Sequence, residues 1–97
     1  MQLKHNAIAG TLESSDAQVM VEPADQLSIM IRSEVEAQYG DQIRATAEEV
    51  LNNLEVEGVS LVIQDQGALD CTIRARIQTA ILRAADVTEN LPWGTKL

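Results

Sequence analysis

Ala17-Gln18-Val19-Met20-Val21-Glu22-Pro23-Ala24-Asp25-Gln26-Leu27-Ser28-Ile29-Met30-Ile31-Arg32 carries the pattern that decides the fold. Across 18–22 apolar and polar residues alternate, with Val19 and Val21 on one face. Leu27, Ile29 and Ile31 then point one way while Ser28, Met30 and Arg32 point the other. Period two is the signature of a half-buried strand, because successive side chains leave opposite faces of the backbone. Pro23-Ala24-Asp25 reads as a turn, and two alternating runs joined by a short turn predict a hairpin. Upstream, residues 7–12 form a weaker strand candidate, broken by Gly10.

The period changes at Ser33. Ser33 and Glu36 fit a capping box, in which serine and glutamate each satisfy a free backbone N–H. Val35, Tyr39, Ile43, Ala47, Val50, Leu51 and Leu54 follow at steps of mostly three and four, one apolar face of a helix. Gly40 inside that stretch costs about 1 kcal/mol relative to alanine. It predicts either close packing or a later helix start. Gly58 reads as the stop. Residues 59–63 form the next strand, and Asp65-Gln66-Gly67 turns the chain. Asp70 reads as the cap of a second helix, with Ile73, Ile77, Ile81 and Ala84 on its buried stripe. Beyond Asp86 the pattern fades, and residues 87–97 read as an irregular tail.

The order is strands, helix, strand, helix. A helix between two strands makes them parallel if they are neighbours. The expectation is an α+β fold, a small mixed β-sheet with two helices packed on one face, in a single domain over residues 1–97.

Composition bounds the function. The 97 residues suffice for one modest core. There is no Phe, one Tyr and one Trp, so the core must be aliphatic and lacks the aromatic walls of many ligand pockets. Fifteen acidic residues against seven Lys and Arg give a formal charge of −8, which repels nucleic acid and anionic membranes and suits basic patches on partner proteins. The one cysteine excludes an internal disulfide. No apolar run nears the roughly 20 residues of a membrane span, and the first six residues lack the apolar centre of a signal peptide, which predicts a cytoplasmic protein.

Signals for catalysis are sparse. No phosphate loop, dinucleotide turn or metal-ligand cluster is present. His5 reads as a solvated side chain. Cys71, at the start of the second helix, reads as a small buried apolar residue, with a reactive thiol as the alternative. Arg74, Arg76 and Arg83 lie on the second helix. They read as charge balance on a solvated face, or as a patch that meets a partner or a phosphate. Gly10-Thr11-Leu12-Glu13-Ser14-Ser15-Asp16 is a polar turn between strand candidates, and local chemistry alone treats Ser14 and Ser15 alike. Trp93 reads as tucked against its own domain or as an anchor for a partner.

Asn6-Ala7-Ile8-Ala9-Gly10-Thr11-Leu12-Glu13-Ser14-Ser15-Asp16 resembles the N-terminal signature of the citrate lyase acyl carrier family. Gly67-Ala68-Leu69-Asp70-Cys71-Thr72-Ile73-Arg74-Ala75-Arg76 resembles a second signature, and Gln42-Ile43-Arg44-Ala45-Thr46 also fits. The resemblance implies a non-catalytic carrier (gamma) subunit. It implies that Ser14 bears a covalently attached 2'-(5''-phosphoribosyl)-3'-dephospho-CoA group, with Ser15 as the rival site. It implies that the thiol of this group holds acetyl and citryl thioesters. The partners implied are an alpha subunit exchanging acetyl for citrate, a beta subunit cleaving citryl to oxaloacetate, and a prosthetic-group transferase. Glu13 and Asp16 would repel the anionic precursor, so attachment is expected within a basic enzyme cleft. The carrier subunit of malonate decarboxylase uses the same kind of group and is the nearest alternative. A thiol enzyme using Cys71 and an unmodified interaction module are the others. The period-two run over residues 17–32 sets the chain apart from the four-helix bundle of fatty-acid carriers.

Overall fold

A computed structural model describes residues 3–33 and 36–85. The expected irregular tail 87–97, Trp93, Val35 and the side chain of Tyr39 lie outside the described residues. The elements in chain order are β1 (Ala7–Gly10), β2 (Ala17–Pro23), β3 (Ser28–Ser33), α1 (Glu36–Asn53), β4 (Val59–Asp65) and α2 (Asp70–Ala84). The strands form one mixed sheet in the order β1-β2-β4-β3. β3 and β4 are parallel neighbours joined through α1, as the element order requires. Both helices pack on the same face, which gives the expected α+β class.

The expected β2–β3 hairpin does not form. β4 lies between them, antiparallel to β2 and parallel to β3. The reason is burial. Val59, Leu61 and Ile63 of β4 are all fully buried, so this strand stands at the centre with partners on both sides. β3, with Ser28, Met30 and Arg32 exposed, is suited to an edge.

The core is aliphatic. Ala9, Val19, Val21, Ile31, Leu61 and Ile63 come from the inner sheet face. Ile43, Ala47, Val50 and Leu51 line α1, with Leu54 just past its end, and Ile73, Ile77, Ile81 and Ala84 line α2, matching the periodic stripes. Burying one such Leu or Ile contributes about 1.5–3 kcal/mol.

The local end signals meet partners elsewhere in the fold. α1 ends in a Schellman motif, not at Gly58. The Val56 N–H donates to the Leu51 carbonyl at 2.9 Å and the Glu55 N–H to the Asn52 carbonyl at 3.1 Å, with Glu55 at φ 58°. Gly58 instead allows close approach, since a Cβ there would overlap the Ala24 carbonyl oxygen. Ser33 closes β3, and its hydroxyl donates to Asp65 Oδ2 at 2.9 Å. The Glu36 half of the capping box lies outside the described side chains. Asp70 is the first residue of α2, and Leu69 is the N-cap, with no side-chain cap bond. The Asp70 carboxylate accepts from Thr46 Oγ1 of α1 at 2.6 Å. At that position it also faces the positive end of the helix dipole. Gly40 lies within α1, which begins at Glu36, so the helix does not start late.

Candidate functional site

The β1–β2 connection, residues 11–16, is organised by one carboxylate. Asp16 Oδ2 accepts from the Thr11 N–H at 3.1 Å and from Thr11 Oγ1 at 2.6 Å. Asp16 Oδ1 accepts from the Ala17 N–H at 2.7 Å. Arg76 of α2 closes the arrangement, with Nε donating to Oδ1 at 2.9 Å and Nη2 to Oδ2 at 3.2 Å. Such a two-pronged contact fixes orientation as well as distance. The Arg76 guanidinium first, then the Thr11 hydroxyl and the Ala17 N–H, hold the Asp16 carboxyl well below the usual carboxylate range.

Two further bonds tie the turn down. The Asp16 N–H donates to the Glu13 carbonyl at 3.2 Å, which closes a four-residue turn over Glu13-Ser14-Ser15-Asp16. The Ser15 N–H donates to the Gln66 carbonyl at 2.8 Å, and the Gln66 N–H to the Asp16 carbonyl at 2.9 Å. Ser15 takes φ 66°, in the left-handed region. Gly10 enters the turn at φ 87°, where a Cβ would overlap the Ala17 carbonyl oxygen and meet Arg76 Cδ at 3.0 Å.

Ser14 and Ser15 are both exposed. Among the described residues, neither hydroxyl makes a hydrogen bond. Their backbones differ. Ser15 is pinned to the loop after β4, whereas Ser14 stands at the second position of the turn with its backbone N–H unengaged by any described residue. The result is a rigid base with an accessible hydroxyl at its tip.

The three arginines of α2 have separate partners. Arg76 holds Asp16. Arg83 Nη1 donates to the Ile8 carbonyl at 2.8 Å. Arg74 Nη2 meets Glu49 Oε2 at 3.1 Å, which raises its pKa, with Asp70 contributing. They are not one patch, and the structure brings only Arg76 to the serine turn. Cys71 is exposed, which corrects its reading as a buried apolar residue; the first turn of α2 directs it outward. His5 is also exposed, with Nδ1 3.0 Å from the Asn6 carbonyl oxygen.

A groove of about 310 Å³ lies between α1 and the start of α2, walled in part by Ile43, Ala68, Leu69 and Ile73. Its two carboxylates already have partners. Asp65 accepts from Ser33 and from the Ala68 N–H at 2.8 Å, and Asp70 accepts from Thr46. Among the described residues no group of His, Cys, Asp and Glu is arranged to hold a metal ion. No described helix is long and apolar enough to cross a membrane.

The sequence reading missed the Arg76–Asp16 contact. The two residues lie 60 positions apart, and the available signal was that one ends the first signature and the other ends the second.

Known proteins resemble the chain over most of its length. Residues 4–84 match the family model for the malonate decarboxylase delta subunit (MdcD). The citrate lyase acyl carrier protein of Edwardsiella ictaluri is 50% identical, over 96% of this chain and 96% of that one. That of Haemophilus influenzae is 50% identical over 93% and 95%, and that of Treponema denticola 46% identical over 87% and 97%. A chain in the crystal structure of a Pseudomonas malonate decarboxylase hetero-tetramer in complex with malonate has a TM-score of 0.75 at 22% identity, over 86% of this chain and 88% of that one. That likeness is one of fold.

Identity at this level over nearly the whole chain makes the protein an acyl carrier protein, the non-catalytic class of subunit to which these relatives belong. It belongs to the family of citrate lyase acyl carrier proteins.

Proposed function

We propose that the chain is the carrier subunit of a citrate lyase complex and that Ser14 is the attachment point of its prosthetic group. The observation that carries this is the turn itself, a clamped base with an exposed, unengaged Ser14 hydroxyl. A phosphodiester made at that oxygen would project outward without disturbing the clamp. A serine-linked 2'-(5''-phosphoribosyl)-3'-dephospho-CoA group fits, because the attachment needs one free hydroxyl and no internal cavity. When bound, that group supplies a thiol that holds the acetyl or citryl unit during cleavage of citrate to acetate and oxaloacetate. The chain's own task is mechanical: to hold the root of the arm still and to keep its end at high effective concentration near two active sites. The difficult chemistry then belongs to the group and to the alpha and beta subunits.

Carriage for malonate decarboxylase is the second reading, favoured by the name of the family model and by the shared fold. The identities of 46–50% to citrate lyase carriers, against 22% to the decarboxylase chain, favour citrate lyase.

Intact-mass measurement on protein from its native host tests the proposal. One prosthetic-group increment is expected, lost in Ser14→Ala and kept in Ser15→Gly, since glycine accepts the positive φ at that position. An unmodified chain from cells with active citrate lyase overturns it, as does an increment that disappears with Ser15→Gly and survives Ser14→Ala.

A further inference from the structure

The sheet face opposite the helices carries one apolar row. Ile8 pairs with Met20, Met20 with Val62, and Val62 with Met30, so four apolar side chains lie in register across all four strands. Ile8 is 53% exposed and Met30 50%, with Met20 and Val62 half-buried between them. The flanking rows are polar. Gln18, Gln64 and Arg32 lie on one side, and Glu22, Ser60 and Ser28 on the other.

The sheet edges offer less. The Ile8 carbonyl of β1 accepts from Arg83 at 2.8 Å, and the Ile29 carbonyl of β3 accepts from Arg44 at 3.2 Å. A helix arginine that occupies an edge carbonyl discourages addition of another strand there. The face, rather than an edge, is the surface open to a partner.

We infer that this row seats a larger, basic catalytic subunit of the complex, which leaves the Ser14 turn free; the inference rests on the carrier reading above. Charge selects this occupant over a second copy. Strands spaced about 4.8 Å apart make the row about 14 Å long and about 7 Å wide, roughly 100 Å² in outline. A stable interface needs roughly 800 Å² per partner, so contact must spread over the surrounding surface. The chain carries a formal charge of −8, which opposes that spread for a copy of itself and favours it for a basic protein. Two methionines in the row suit a contact that must adapt its shape. The geometry also separates the two roles. The Ser14 turn is held from the helix side by Arg76 of α2, so docking on the opposite face does not bury it.

The test uses the larger subunits purified from the host's citrate lyase. Ile8→Ser combined with Met30→Ser changes only solvent-facing positions and adds no charge, so its circular dichroism and its Ser14 mass increment should match wild type. Its affinity for those subunits should fall at least tenfold, while Ser14→Ala should bind them as wild type does. Oxidative footprinting of wild type gives a readout independent of any variant: Met20 and Met30 should become protected only on assembly. Three results overturn the inference. They are unchanged affinity in the double variant, loss of assembly in Ser14→Ala, and Met30 already protected in the isolated chain, whether by self-association or by residues 87–97. The mass increment at Ser14 is read separately, so failure of the docking face and failure of the carrier reading remain distinct.

Discussion

Replacing Gly10 by alanine strikes the turn at its root. The residue has φ 87°, in a region that costs a non-glycine residue about 1–2 kcal/mol. A Cβ there would also overlap the Ala17 carbonyl oxygen on the neighbouring strand. Gly10 pairs with Gln18, so relief requires β1 and β2 to part at that end. Losing one or two ladder bonds adds about 1–2 kcal/mol, which brings the total to roughly 3 kcal/mol. A domain of this size holds about 5–15 kcal/mol in all. At about 4–8 °C per kcal/mol, melting should fall by roughly 12–24 °C. Gly67 provides the control. It has φ 85°, but a Cβ there meets nothing within 4 Å. Gly67→Ala should show the backbone cost alone, about 1–2 kcal/mol. Thermal denaturation by circular dichroism compares the two. Equal losses in both variants, or a loss below about 4 °C in Gly10→Ala, would refute the packing argument.

Asp16 makes a pH prediction with a definite sign. Its folded pKa is depressed, so its contribution to stability is fully present above the ordinary aspartate value of about 3.9 and is lost as pH falls through a folded value well below that. Carboxyl titration by NMR should show Asp16 still ionised where exposed aspartates are protonated, and Arg76→Gln should move it upward; no movement would refute the Arg76 assignment. Asp16 is already matched by Arg76, so Glu13 is the uncompensated acid of the turn. Glu13→Gln should therefore speed attachment of the anionic prosthetic group at low salt, and a rate indifferent both to this change and to salt would remove the electrostatic argument. Cys71 is exposed. Alkylating it in protein lacking the prosthetic group should leave both the fold and subsequent loading of Ser14 intact, as read by intact mass; loss of loading would give Cys71 a role in the carrier.

The parts of the fold legible in the sequence were those set by local period. Alternation identified β2 and β3, and steps of three and four identified the buried stripes of both helices. Strand order was not legible. A short turn after β2 looks the same whether the next strand pairs with it or leaves room for another, and only the burial of Val59, Leu61 and Ile63 together places β4 in the middle. Two end signals were misread for a related reason. Gly58 and Asp70 have the right chemistry for a local stop and a local cap. Each serves a distant partner, respectively the Ala24 carbonyl and Thr46. Side-chain chemistry shows what a residue can bond; the assembled layers decide what it meets.

The same reasoning explains why the three stretches that carry the family resemblance had to be read together. The first contributes Gly10, Thr11 and Asp16, the second Asp70 and Arg76, and the third Thr46. Thr46 joins α1 to the start of α2 through Asp70, and Arg76, six residues further along α2, joins that helix to the turn through Asp16. The segments are thus links in one support running from α1 to the tip that bears Ser14. On the function proposed above, an arm on Ser14 that serves two active sites must be mobile, but its root need not be. If the turn sampled many conformations, the arm would lose effective concentration at both sites, since ordering the root on each visit costs entropy. Holding a polar turn with a two-pronged arginine contact and leaving the Ser14 hydroxyl unengaged separates those demands. It restricts the backbone where reach depends on a fixed origin, and it leaves the hydroxyl open where a modifying enzyme needs access.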